Sequence, residues 1–376
     1  MDWHPRTYLI QTLIFLFLGF TISCNKDNSP SEGDSNLPGE ESNLPVGKVE
    51  FDISPIDLDG VLFFEPMGLM GVFPQDHGGF FHDQYDVPEP SIRIYALADG
   101  HISALGKSGR DFWVEIKYST TISTKLGHVG RFENFILDQT GPLLEGQPKY
   151  INIDVKKGQV IGYVSSFSAL DIGLHDQESI KSFCHPELFW FETLYASDIF
   201  DYFKEPVKSE LLSKAIREQP PRGGKVDYDV CGALVGNWFL QGGGDARDKF
   251  ENHFAIGYDH IHPQRVAIYD GYACFAENNC HLFRAWIKNN APLPETIDVA
   301  YGIVKYEIIY RRGWTTSTDN ITTLQSLEGV DEQIPHGVFI FQMLNSETMQ
   351  VEYFPDQLAD EITEFSGNQR IYVRNP

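Results

Sequence analysis

Histidine and aspartate crowd one short segment, Pro74-Gln75-Asp76-His77-Gly78-Gly79-Phe80-Phe81-His82-Asp83-Gln84-Tyr85-Asp86. Imidazole and carboxylate are the groups that hold a hydrolytic zinc ion, and they are also the groups that move protons at neutral pH. The segment runs into a strand that ends at Ala98-Asp99-Gly100, so these side chains are expected at the edge of a sheet. A second histidine pair, His260-Ile261-His262, has the i, i+2 spacing that puts both rings on one side of a strand. Its flanks, Gly257-Tyr258-Asp259 and Pro263, read as a turn and predict an exposed loop instead. Other chemistries find no motif: the chain has no Gly-x-Ser-x-Gly elbow, no P-loop and no dinucleotide fingerprint.

The elements that must carry these residues are strands. Ile92, Ile94, Ala96 and Ala98 alternate onto one face, as do Phe112, Val114, Ile116 and Tyr118, and again Ile151, Ile153 and Val155. Lys156-Lys157-Gly158-Gln159 turns the chain into Val160-Ile161-Gly162-Tyr163-Val164. The pattern predicts an antiparallel sandwich or barrel of short strands. Further on, Asp198 is placed to cap a helix through Ile199, Phe203, Leu211 and Ile216, with Pro206 as a kink or restart. Beyond it the strand-like runs resume, and two of them flank Leu344-Asn345-Ser346-Glu347 as a hairpin. Trp238, Phe239 and Phe275 in this region read as core.

A length of 376 residues allows two domains, each with its own core. Hydrophobic residues at 42% exclude a disordered body. A net charge of -24, with no run of Lys or Arg longer than two, excludes nucleic acid as a partner, because phosphate binding needs a clustered cationic face.

The amino terminus reads as an export signal: Arg6 precedes an apolar run from Tyr8 to Ile22, which at about fifteen residues is shorter than a membrane span. Thr21-Ile22-Ser23-Cys24 resembles the lipobox of bacterial lipoproteins, with Thr21 and Ile22 departing from its usual residues, and the resemblance implies lipidation of Cys24. The Ser/Gly/Pro/Glu-rich stretch after it, with Ser-Asn-Leu-Pro twice, is a flexible acidic tether. The remaining cysteines, Cys184, Cys231, Cys274 and Cys280, permit two disulfides in an exported protein. Cys274 with Cys280 closes the shortest loop and is the first expectation.

"IYALADGHI" (94 to 102), "LGHVG" (126 to 130) and "VKKGQVIGYV" (155 to 164), in this order, resemble the LytM/lysostaphin-type zinc endopeptidases and their duplicated-hybrid-motif relatives, over roughly 110 residues. The resemblance implies a barrel-sandwich fold and Zn2+ as the expected cofactor. Matched by position, it implies His82, Asp86 and His175 as metal ligands, with His77 as an alternative first ligand, and His128 as a catalytic residue. The family's His-x-His strand reads here Gly173-Leu174-His175, so Gly173 stands where a proton-handling histidine belongs. That loss alone costs on the order of 100-fold in rate.

The expected organisation is therefore mainly β. Residues 1–24 are a signal peptide, 25–48 a tether, 49–182 a LytM-like barrel-sandwich domain, 183–224 a helical connector and 225–376 a β-rich domain. The expected role is a lipid-anchored protein of the cell envelope and outer membrane, on its periplasmic face or at the cell surface, that binds peptidoglycan or an envelope protein without cutting it. An active zinc endopeptidase and a purely structural surface lipoprotein are the alternatives.

Overall fold

A computed structural model of the chain describes residues 44–68, 74–243, 250–273, 284–288, 290–312 and 333–376. Cys24, the signal segment, Phe275, Cys274 and Cys280 lie outside these described residues. None of the described helices is long and apolar enough to cross a membrane.

The chain folds into two β structures, in line with the mainly β reading. The first holds β1 (Val61–Glu65), β2 (Gly78–His82), β3 (Arg93–Tyr95), β4 (Gly100–Ser108), β5 (Asp111–Lys117), β6 (Ile122–Phe132), β7 (Lys149–Val155), β8 (Val160–Val164), β9 (Leu170–Asp176) and β10 (Ala196–Ser197). They form one antiparallel sheet with the path β1-β2-β9-β6-β5-β4-β7; β10 adds to β9, and β8 joins both β3 and β6. The alternation read from the sequence is what buries one face: Ile94, Ile102, Val114, Ile116, Leu126, Ile153, Ile172 and Leu174 share one core. The intervening residues of β5, β6 and β9 are left on the opposite face, where the polar side chains gather.

The second structure is a closed barrel of β11 (Gly236–Leu240), β12 (His253–Tyr258), β13 (Val266–Asp270), β14 (Arg284–Ile287), β15 (Ile303–Arg312), β16 (Gly337–Asn345), β17 (Thr348–Pro355) and β18 (Arg370–Val373). Each strand pairs with its sequence neighbour, and Leu240↔Tyr372 closes the ring. Closure leaves no free strand edge. Trp238, Phe254, Phe339, Phe341 and Tyr372 fill the interior, so Trp238 is core as expected, and the expected hairpin is β16 and β17.

The connector differs from the single helix expected. Asp198 does cap, accepting from the Phe200 amide at 2.9 Å, but the turn that follows is 3-10 and ends at Tyr202. The α-helices of this region are α2 (Phe191–Tyr195) and α3 (Val207–Leu212), α1 (Asn134–Thr140) having come earlier, and α3 restarts at Pro206. Proline cannot donate the amide a continuous helix would need, and its ring blocks the preceding turn.

The two structures are tied together. Met67, Phe183, Phe189, Ala196, Val226 and Phe239 form a shared apolar cluster. Among the described residues one disulfide is formed, Cys184–Cys231, with Cα atoms 5.4 Å apart; it is the pair left over if Cys274 joins Cys280, and those two cysteines lie outside the described residues. His260 corrects the exposed-loop reading: it is 1% exposed and its Nε2 meets Glu65 Oε1 at 2.8 Å. The turn was read correctly, but the first sheet packs over it, and burial supplied the carboxylate that a buried imidazole requires.

Candidate functional site

The polar face of the first sheet carries a chain of alternating carboxylates and imidazoles. On β9, Asp171, Gly173 and His175 point to the same side, two residues apart. On β6, Gly127, Lys125 and Ser123 lie directly opposite them. Asp171 Oδ2 stands 3.3 Å from His77 Nε2 and 3.3 Å from His128 Nε2. The far nitrogen of each ring faces its own aspartate: His77 Nδ1 is 2.7 Å from Asp76, and His128 Nδ1 is 2.9 Å from Asp111. Ser165 Oγ donates to the other oxygen of Asp111 at 2.6 Å, and Thr193 Oγ1 donates to Asp76 at 3.1 Å. The Gln75 side-chain amide also touches His77 Nε2.

A local irregularity aims His128 into this chain. The β5–β6 ladder skips between Phe112↔Val129 and Val114↔Leu126, a bulge that holds Gly127 and His128. His128 takes a positive φ of 56°, which turns its ring away from the alternation of the strand. Gly127 leaves room for the carboxylate, because a Cβ there would lie 3.2 Å from Asp171 Cβ.

Charge follows from this geometry. Burial works against a charged His77, but Asp171 and Asp76 outweigh it and push the ring up to about 10. Asp76 is itself penalised by burial, yet its bond to His77 brings it down to about 2. His128 is raised in spite of burial by Asp171 and Asp111, and Asp171 is lowered in spite of burial by His128 and His77. At neutral pH His77 is an imidazolium held between Asp76 and Asp171, and Asp171 favours the charged form of His128 as well.

His175 lies beside the chain but is a different kind of group. It is 3% exposed, burial drives its ring towards the neutral form, and its Nε2 has no hydrogen-bond partner among the described residues. Gly173 is what lets the ring lie there: a Cβ at 173 would sit 3.0 Å from His175 Nε2 and 3.4 Å from His77 Cβ. Gly173→Ala should therefore destabilise the fold by about 1–3 kcal/mol through crowding. Urea denaturation checks this, and an unchanged midpoint would show that the ring moves freely.

The residues matched by spacing do not form one site. His82 is at the far end of β2, paired with Val61, while His175 lies past the opposite end of the β2–β9 ladder, whose register is Gly78↔Ile172. At strand rise the separation is about 20 Å. Both His82 nitrogens are already engaged: Nε2 donates to Ser168 O at 3.1 Å and Nδ1 accepts from the Gln84 amide at 3.2 Å. Asp86 is in an exposed turn, its amide on Ser166 O. The structure thus does not bring His82, Asp86 and His175 together, whereas His77, the alternative first ligand, shares Asp171 of β9 with His128. Among the described residues no group of three or more His, Cys, Asp or Glu side chains is arranged to hold a metal ion. The zinc that the sequence resemblance implies does not fit the side chains as they stand.

No known protein family matches the chain, and no curated protein does. Several solved structures are partly similar. A structure of Helicobacter pylori Csd3 is 21% identical over 35% of this chain and 32% of that one, with a TM-score of 0.24. A zinc-containing peptidase from Vibrio cholerae is 15% identical over 35% of this chain and 38% of that one, at a TM-score of 0.24. The deep-sea M23 metalloprotease pseudoalterin is 10% identical over 35% of this chain and 71% of that one, also at 0.24. The match thus spans about a third of the length of Csd3. Likenesses of this extent assign no activity to the chain.

Residues 186–195 complete the site from above. Glu192 of α2 pairs with Lys125 Nζ at 2.6 Å, Thr193 holds Asp76, and Phe191 meets the His175 ring edge-on at 6.1 Å between centroids. Lys125 stays charged despite burial because of Glu192, and Glu192 is lowered by Lys125 against its own burial. With about a third of each side chain exposed, 34% and 30%, solvent screens the pair to roughly 1 kcal/mol or less.

Asp76, Asp111, Lys125, Asp171 and Glu192 were not singled out from sequence. For Asp171 a signal existed, since it precedes His175 by four residues on one strand and so shares its face. Glu192 lies in the connector and carries no local signal.

Proposed function

We propose that this chain is an exported lipoprotein of the cell envelope, anchored through Cys24, whose first β domain is a peptidase-like scaffold that binds peptidoglycan or an envelope protein without cutting it. One observation carries the reading: the Asp171 carboxylate occupies the space between His77 and His128 at 3.3 Å from each. His77 bridged in this way is held in its charged form and is not available as a general base at neutral pH, and the same carboxylate favours the charged form of His128. Gly173 removes the other candidate base, and His175 fills the space that its side chain would need. What remains is a polar, partly exposed cleft of fixed charges, His77 and Asp171 each showing 28% of their side chains to solvent. Such a surface recognises the amide, carboxylate and ammonium groups of short peptides through charge-assisted hydrogen bonds.

A second reading, an active zinc endopeptidase, is favoured by the unpartnered and buried His175 Nε2. The two are separated by incubating the chain lacking residues 1–24 with purified peptidoglycan sacculi. Co-sedimentation without released muropeptides is the expected result. Muropeptide release that stops with a chelator would replace this proposal with the second reading. Absence of both sedimentation and release would leave a structural surface lipoprotein.

A further inference from the structure

Lys125 is the cation of this cleft whose direct ion-pair partner comes from outside the sheet, Glu115 of β5 standing across from it. Its partner Glu192 belongs to the strap of residues 186–195, which crosses the polar face between two fixed points. One is the disulfide Cys184–Cys231, reinforced by the Cys184 amide on Asp229 Oδ2 at 3.4 Å and by His185 Nε2 on Glu347 at 2.7 Å. The other is β10, only two residues long, where Ala196↔His175 and Ser197↔Leu174 pair with β9. Between these points three consecutive strap residues, Phe191, Glu192 and Thr193, touch three residues of the site, His175, Lys125 and Asp76.

The strap is anchored by Phe189 and Thr193, which are buried, and is open to solvent between them, where Phe191 is 44% exposed. The Lys125–Glu192 pair is partly open to water. Across from Lys125 stand Gly173 on β9, which presents no side chain, and Glu115 on β5, whose carboxylate accepts from Ser103 Oγ at 3.0 Å. The ammonium is therefore a ready-made receptor for a carboxylate, and the one seated on it is the protein's own.

We propose that Glu192 is an internal stand-in for a ligand carboxylate: a carboxylate-bearing peptide displaces it from Lys125, and the strap 186–195 lifts from the cleft as that peptide binds. This rests on the reading of the cleft as a binding site, and it names the group by which the ligand is held.

Two measurements on the chain lacking residues 1–24 test it. In the first, amide hydrogen exchange is followed over residues 190–195 without ligand. Glu192→Gln and Lys125→Met should each speed exchange there and leave the β5 and β6 amides unchanged. Unaltered exchange in both variants would overturn the latch, whatever the protein binds. Thr193→Val, which loosens the strap without touching the pair, serves if either variant folds poorly, and should also speed exchange.

In the second, binding to sacculi is compared with binding to sacculi whose carboxylates have been converted to methylamides. Release of Lys125 in Glu192→Gln should tighten binding to untreated sacculi roughly fivefold. It should bring no gain on the amidated ones, and Lys125→Met should bind both equally weakly. Equal binding of wild type and Glu192→Gln to untreated sacculi would overturn the competition. If no form sediments while exchange is still accelerated, the envelope-binding reading fails and the carboxylate ligand with it, whereas the latch itself stands.

Discussion

With asparagine in place of Asp171, the His77 ring should titrate well below its present value of about 10. Asp171 contributes both the leading favourable charge and a hydrogen bond to that ring. Asparagine keeps the shape and removes the charge, so burial, which opposes the imidazolium, is then met by Asp76 alone. An NMR titration of the imidazole resonances reads the change directly, and a His77 still protonated at pH 9 in the variant would refute the bridging role of Asp171. Stability should follow. A histidine whose folded value is raised contributes stabilisation that is fully present below 6.5 and lost as pH rises through about 10. Asp171 is shifted downward, so its share is lost only in acid, as pH falls through its lowered value. The gap in urea midpoint between wild type and Asp171→Asn should therefore be wide at pH 6 and close towards pH 10.

Removing the Cys184–Cys231 disulfide by a double serine substitution should have the larger effect on the fold. The bridge joins residues 47 apart, and cross-linking a loop of that length restricts the unfolded chain by about 4 kcal/mol. The loss would fall on the junction of the two β structures, because Cys184 begins the strap and Cys231 precedes β11. A lower midpoint for the barrel, together with faster exchange in residues 186–195, is the expected pair of results. A midpoint within 1 kcal/mol of wild type, by the slope of the transition, would mean that the apolar cluster around Met67 and Phe183 holds the junction unaided.

Strands were legible where one face is buried and the other wet, as with Val114, Ile116 and Tyr118. The same reading placed Phe112 with them, yet Phe112 is only half-buried, because the neighbouring bulge breaks the period that the reading relies on. The hairpin of β16 and β17 was legible from its turn residues. The site was half legible. His128 and His175 were singled out by resemblance, and the chain brings both to one face. Spacing favoured His82 over His77, because four residues to a carboxylate can be counted in a sequence, whereas the direction of a strand past its partner cannot. Closure of the second structure into a barrel depends on Leu240 meeting Tyr372, a contact between residues far apart in the chain, and no local pattern encodes it.

The left-handed backbone of His128 makes position 128 a recorder of selection. At φ 56° glycine or asparagine is the comfortable residue, and a larger side chain costs roughly 1 kcal/mol. Drift in a lineage with no use for the imidazole would settle on one of those two within the bulge. Descendants that still spell histidine there, at a standing cost to stability, have been kept for the ring itself, whereas those that spell glycine have given up the cleft while keeping the sheet.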